Sequence, residues 1–323
     1  MPIPEYQLET WCNPGANVTS AQAYASIRAA LTAPNSGLTY ANPEVFLQGS
    51  YRSCTNVYAD SDVDIVVVHN TSFRRDLSLL PPIQAQAYNS GHFVDAIYGA
   101  ADHKAEILRA LQRYYTAANV KLGSRSIKVT VPNGRIVDVI PALEYRKYLR
   151  FAGPTDQNYI MGISFDDASG NMIVNYPKQH IANGEAKNAA DRTNGRYKQT
   201  VRMFKNARGC AVDRGLLGDD VAPSYFVECL LYNVPDLSFV ANRQQSFSNV
   251  WRYLWEQIQP DSAVCQNEQI PLFGTSGQQD RVKQYIGHAV RQIMEACGYR
   301  LDRQGIRITR ANNLFTSGSR YAE

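Results

Sequence analysis

Residues Val45 to Val68 read VFLQGSYRSCTNVYADSDVDIVVV, and this run joins a small-residue turn, a cluster of acids and an apolar strand. Val45, Phe46 and Leu47 predict a short strand that ends in Gln48-Gly49-Ser50. Val63 to Val68, β-branched and apolar on both faces, predicts a second strand. Side chains alternate faces along a strand, so Asp62 and Asp64 project to one side with Val63 turned away between them. Two carboxylates that close repel unless a cation lies between them, which makes the pair a candidate Mg²⁺ site. Acids at the start of a strand are more commonly turn residues in solvent, and Asp60 is read as such a turn residue or as one that supports the ligands from behind. Upstream, Gly49 has no Cβ to block a ligand, and the Ser50 hydroxyl with nearby backbone N–H groups can hold phosphate oxygens.

Outward from this stretch, the chain of 323 residues is long enough for one large domain or two modest ones around a full core. The net charge of +4 is mild and contains no run of five basic residues, so no polybasic tail points to nucleic acid or to a membrane surface. The six cysteines, Cys12, Cys54, Cys210, Cys229, Cys265 and Cys297, are widely spaced and form no C-x-x-C, which fits core thiols in a reducing cytoplasm better than a zinc site. No basic-plus-apolar leader and no apolar run near ~18 residues is present, so a soluble cytoplasmic protein is expected.

Residues 1 to 17, Pro-rich and polar, are expected to wrap the surface. Thr19 or Ser20 can cap a helix through Leu31, His69 to Pro82 reads as a polar loop, and Ala100 to Tyr115 is a helix with Ile107, Leu108, Leu111 and Tyr114 at helical spacing. Ser126 to Ile140 predicts a β-hairpin turning at Pro132-Asn133-Gly134. Its second strand carries Asp138 between Val137 and Val139. A buried lone carboxylate needs a partner, whereas an Asp on the wet face of an edge strand does not, and both readings stay open on the residues alone. Gly162 to Tyr176 reads as another hairpin. Tyr176 to Asn194, polar and with two Asn-Gly pairs, reads as a boundary before a helical half, and His180 within it as a surface or packing residue.

In Arg196 to Arg208 the stripe Tyr197, Val201 and Phe204 lies beside a stripe of Lys198, Arg202 and Lys205. Composition alone makes the first a core face and the second a solvated one. Pro223-Ser224-Tyr225-Phe226 starts an apolar helix, with Ser224 near free N–H groups where an anion is favoured. Phe247 to Ile258 and Asp280 to Ala296 are further core helices, Phe273 to Gly277 a loop, and the tail from Ile306 is polar.

The text QGSYRSCTN followed by SDVDIVVV resembles the bacterial cGAS/DncV-like nucleotidyltransferases (CD-NTases), within the DNA polymerase β-like nucleotidyltransferase superfamily, whose signature is G-S followed by D-x-D. The order and spacing of residues 45–70, 126–142 and 196–232 follow that family. The resemblance implies an α+β fold with a polymerase β-like mixed sheet core and a C-terminal helical half, bilobed with the active site in the cleft. It places a catalytic core in residues 1–180, with the N-terminal helix, and a helical domain completing the nucleotide-binding cleft in residues 181–323. Val139-Ile140-Pro141-Ala142 is similar to the family text after its third acid, so Asp62, Asp64 and Asp138 become the carboxylate triad for two Mg²⁺ ions, with Mn²⁺ a substitute.

By the same resemblance, Gln48, Gly49 and Ser50 bind nucleotide, Lys205 contacts phosphate with Lys198 and Arg202 as second choices, and Ser224-Tyr225 matches a pair whose serine contacts the triphosphate and whose ring stacks on a base. The implied activity condenses ribonucleoside triphosphates, ATP among them, into a cyclic oligonucleotide messenger, a cyclic dinucleotide being favoured, in bacterial antiviral signalling. The expected enzyme is a monomer that needs no membrane and no long nucleic acid, with operon-encoded regulators and a nucleotide-activated effector. A nucleotidyltransferase with another acceptor, or a silent nucleotide-binding protein, are the alternatives. Base identity, ring size and linkage are not legible.

Overall fold

The computed structural model describes residues 3–15, 18–38, 43–57, 63–91, 93–94, 96–273, 300–302 and 305–307. Asp60, Asp62, the helix expected from Asp280 to Ala296, Cys297 and most of the polar tail lie outside them. Along the chain come α1 (Glu5–Trp11), α2 (Val18–Thr32), β1 (Glu44–Gln48), α3 (Gly49–Ser53), β2 (Val63–Asp76), α4 (Pro82–Asn89), α5 (Ala100–Tyr115), β3 (Val120–Leu122), β4 (Ile127–Thr130), β5 (Ile136–Gly153), β6 (Asp156–Asp166) and β7 (Met172–Asn175). Helices follow: α6 (Pro177–Asn188), α7 (Arg196–Asp213), α8 (Ser224–Tyr232) and α9 (Arg243–Glu256), then the short pair β8 (Arg300–Asp302) and β9 (Gly305–Arg307). The chain forms two compact units, one of residues 17–49 and 62–178, the other of residues 1–16, 50–61 and 179–323.

The first unit is built on a seven-stranded mixed sheet with the order β1-β2-β5-β4-β3, with β6 and β7 continuing from β5. β2 and β5 run parallel while their other pairings are antiparallel. Central strands buried on both faces must be apolar on both, and Val63, Ile65, Val66, Val67, Val137 and Val139 are each completely buried. The expected loop after His69 is instead a continuation of β2. Past an irregularity between His69 and Phe73, residues Phe73 to Asp76 pair with Glu144 to Lys147 of β5. A polar strand is stable there because the 18-residue β5 offers a free edge, a tertiary fact that local polarity does not reveal.

In the second unit the predicted stripe Tyr197, Val201 and Phe204 is core, packed in one cluster with Phe247, Val250, Trp251 and Leu254. The N-terminal residues do not merely wrap the surface: Ile3, Leu8, Trp11 and Cys12 belong to the same cluster, Leu8 and Trp11 falling one helical turn apart on α1. The polar boundary segment holds a helix, α6. Its Asn183-Gly184 reads as a turn signal, but Asn183 donates to the carbonyl of Gln266 at 2.9 Å, and a Cβ on Gly184 would lie 2.4 Å from the Gln266 amide nitrogen. That glycine makes room for a side chain rather than for a turn. The second pair, Asn194-Gly195, is a turn, with both φ angles positive, 48° and 77°.

Candidate active site

In the sheet unit, the register brings together four polar residues on adjacent strands. Gln48 of β1 faces Asp64 of β2, Asp64 faces Asp138 of β5, and Asp138 faces Lys128 of β4. Directly paired residues project to the same face, and neighbouring strands are about 4.8 Å apart, so Gln48, Asp64, Asp138 and Lys128 form a row across the sheet. Asp138 is thereby an interior-strand residue beside another acid, not an edge residue in solvent. Its Oδ1 accepts a 2.6 Å bond from the Ser126 hydroxyl, and Lys128 Nζ lies 3.8 Å from its Oδ2. Sequence reasoning missed Ser126 and Lys128, although counting back across the Pro132-Asn133-Gly134 turn would have set Lys128 opposite Asp138.

Gly49 follows Gln48 with φ +71°, and a Cβ built on it would stand 2.5 Å from Asp64 Oδ2. Glycine is required twice over, for its backbone angle and for the space the carboxylate occupies. Two carboxylates in register, a cradle that any Cβ would fill, and a buried Gln48 Oε1 with no hydrogen-bond partner among the described residues make a donor set that suits hard divalent cations such as Mg²⁺. Asp62 lies outside the described residues.

The cations of α7, in the helical unit, do not form a solvated stripe. Lys198 Nζ is 2.8 Å from Glu185 Oε1, Arg202 donates to the carbonyls of Cys12 (2.5 Å) and Cys54, and Lys205 Nζ is 2.6 Å from Glu228 Oε1 with only 1% of its side chain exposed. Burial lowers the Arg202 pKa. Glu228, on α8, is the centre of a buried network: Oε1 also accepts from the Thr55 hydroxyl, and Oε2 accepts from His180 Nε2 at 3.0 Å. Burial by itself would raise the carboxyl pKa, but Lys205 and His180 outweigh it and hold it down to about 2.

Ser224 opens α8 as expected. Tyr225, 44% exposed, stacks against the His180 ring with centroids 5.2 Å apart and planes 22° apart, and its hydroxyl receives a 3.4 Å bond from the Asn267 amide. His180 is thus a buried packing residue with a polar tie. Neither Glu228 nor Asn267 was singled out by sequence, because an acid within an apolar helix run shows nothing of its partners. Of the cysteines, Cys12, Cys210, Cys229 and Cys265 are buried free thiols and Cys54 is exposed.

The description "cGAS/DncV-like nucleotidyltransferase C-terminal helical domain" matches residues 182–294. A cyclic UMP-AMP synthase of Rhodothermus marinus is 42% identical over 85% of this chain and 91% of its own length. The cyclic nucleotide synthase CdnE01 of Staphylococcus haemolyticus is 38% identical over 86% and 93%. Among solved structures, the R. marinus CdnE c-UMP-AMP synthase with Apcpp and Upnpp gives a TM-score of 0.77 at 38% identity, covering 89% of this chain and 95% of that one. The Elizabethkingia meningoseptica CdnE cyclic dinucleotide synthase with GTP and Apcpp gives 0.71 at 29% identity, covering 92% and 99%.

Proposed function

This chain belongs to the cGAS/DncV-like nucleotidyltransferases, and on that footing we propose that it joins two ribonucleoside triphosphates into a cyclic dinucleotide, with ATP and UTP the pair to test first. The observation that carries this reading is the register that sets Asp64 beside Asp138 on adjacent parallel strands, with Gly49 leaving space against Asp64.

Asp62, Asp64 and Asp138 would hold two Mg²⁺ ions, for which Mn²⁺ can substitute. When bound, such a pair supplies Lewis-acid activation of a ribose hydroxyl and neutralises charge on the leaving group. Ser126 fixes one oxygen of Asp138, and Lys128 lies 3.8 Å from the other. Gly49 and Ser50 approach the donor phosphates, with the Gln48 amide beside them, and Ser224 receives the triphosphate at the start of α8. Tyr225 offers its ring to a base, a contact tolerant of base identity.

A ribose hydroxyl of one nucleotide attacks the α-phosphorus of the other. The new phosphoester bond forms as the α–β bond breaks, pyrophosphate leaves, and the hydroxyl proton passes to solvent or a carboxylate. A second attack of the same kind closes the ring.

Among the described residues no helix is long and apolar enough to cross a membrane. Free thiols and nucleotide substrates support a cytoplasmic location, and a messenger product supports a role in antiviral signalling through a nucleotide-activated effector. The test incubates the purified protein with the four ribonucleotides singly and in pairs, with Mg²⁺ or Mn²⁺, and then adds phosphatase. A small phosphatase-resistant product that needs both ATP and UTP is expected. The absence of any product without an added acceptor would refute cyclic synthesis.

A further inference from the structure

The buried carboxylate of Glu228 has no step of its own in nucleotidyl transfer, yet it is among the most heavily bonded side chains of the helical unit. Lys205 Nζ at 2.6 Å and the Thr55 hydroxyl both bind Oε1, which fixes the carboxylate from one side. Oε2 is left to receive the 3.0 Å bond from His180 Nε2. A carboxylate this acidic can only accept, so Nε2 carries the imidazole proton. The other ring nitrogen, Nδ1, is buried without a hydrogen-bond partner, so Glu228 supplies the polar tie that the described structure gives this ring. The imidazole in turn lies nearly parallel to Tyr225, 5.2 Å away, while the Asn267 amide reaches the phenol oxygen at the far end. The tyrosine is therefore held on one face and at its tip, and stays 44% exposed.

We propose that Glu228 and His180 are positioning residues that orient the Tyr225 ring for nucleotide stacking, and that Lys205 acts in this chain by fixing Glu228. This rests on the reading of Tyr225 as the ring that receives a base. Free rotation of an exposed aromatic ring must be lost on stacking, and a ring already held loses less. The chain of contacts thus converts a buried ion pair into affinity at the surface. Lys205, with 1% of its side chain exposed, contributes through the carboxylate and not by reaching out to solvent.

The experiment measures the affinity of the full-length protein for a non-hydrolysable ATP analogue by calorimetry, with a thermal melt on each variant. Tyr225→Ala is expected to weaken binding by about 5- to 150-fold, the equivalent of one base–aromatic stack. His180→Phe keeps a flat ring but loses the tie to Glu228, and is expected to weaken binding by roughly 3- to 10-fold, a fraction of that stack. The same change in the Tyr225→Ala background should cost nothing further, since the ring to be positioned is gone. Glu228→Gln in a folded sample should behave as His180→Phe does.

A His180→Phe variant that binds as the parent does, beside a Tyr225→Ala variant that is impaired, overturns the positioning role and leaves the stacking reading intact. An equal loss from His180→Phe in both backgrounds overturns it too, because a merely structural defect would be additive. If Tyr225→Ala binds normally, the stacking reading itself fails and the positioning role falls with it.

Discussion

Asp64 and Lys205 are both ionisable side chains picked out by pattern, and the two units treat them in opposite ways. The sheet sets Asp64 next to another acid, Asp138, by backbone register. The helical unit buries Lys205 against the oppositely charged Glu228. Like charges placed side by side weaken a fold unless a cation is drawn in, so the first arrangement fits the metal site proposed for it. Opposite charges buried together and hydrogen-bonded hold a geometry, and the second arrangement fits the positioning role proposed for it. Removing a carboxylate should therefore have contrary consequences in the two places.

The largest effect is expected in the sheet. Asp64→Asn or Asp138→Asn should lower turnover by roughly a thousand-fold or more, in line with loss of one electrostatic element of a site, while the thermal midpoint stays level or rises because a repulsion is relieved. Pyrophosphate release and a melting curve on the same sample check both halves.

In the helical unit the balance reverses. Glu228→Ala or Lys205→Ala leaves a partner charged and buried, and should cost about 3–5 kcal/mol of stability, read from denaturant unfolding.

Acid sharpens the same contrast. Burial pushes the His103 imidazole of α5 down to about 4, its bond to the Val67 carbonyl notwithstanding. Its ordinary value is 6.5, so between pH 6.5 and 4 the unfolded chain binds a proton that the folded chain refuses. Stability must then fall as pH falls through that window, by roughly 3 kcal/mol in total at 1.36 kcal/mol per unit. Glu228 adds a second loss only below pH 4.5, where its unfolded carboxyl begins to bind protons, continuing down to about 2. Urea midpoints measured at pH 7, 5.5 and 4.5 should decline across the first window, and His103→Gln should flatten that decline.

The smallest loss of stability among the destabilising changes is expected at Gly49. An alanine there pays about 1–2 kcal/mol for positive φ, but its Cβ also meets Asp64 Oδ2. Turnover should drop by more than the stability loss explains, measured as kcat beside the melting temperature.

These differences follow what a sequence can and cannot carry. Strand alternation and a hairpin turn placed Asp64 and Asp138 on their strands. The choice of Asp138 as a site residue came from the family resemblance, because the residues alone left a solvated edge position open. Gly49-Ser50 is a local signal that the structure makes the start of α3. Helix α5 was legible to the residue, since its Ile107 and Leu111 repeat at helical spacing and both are buried. The continuation of β2 through Phe73 to Asp76 was not, because a polar strand there depends on the length of β5, whose paired residues lie 71 positions further on. Helix α6 was hidden by Asn183-Gly184, whose glycine answers to Gln266. The cationic stripe of α7 was read as solvated on composition, because the groups that bury it, the carbonyls of Cys12 and Cys54 and the carboxylates of Glu185 and Glu228, come from four separate segments.

The most direct measurement of the central claim is mass spectrometry of the phosphatase-resistant material made from ATP and UTP with Mg²⁺, wild type beside Asp138→Asn. A product of two nucleoside monophosphate units joined in a ring, formed with release of two pyrophosphates and absent from the variant, is the predicted result. A linear product, or the same ring from Asp138→Asn, would contradict the account.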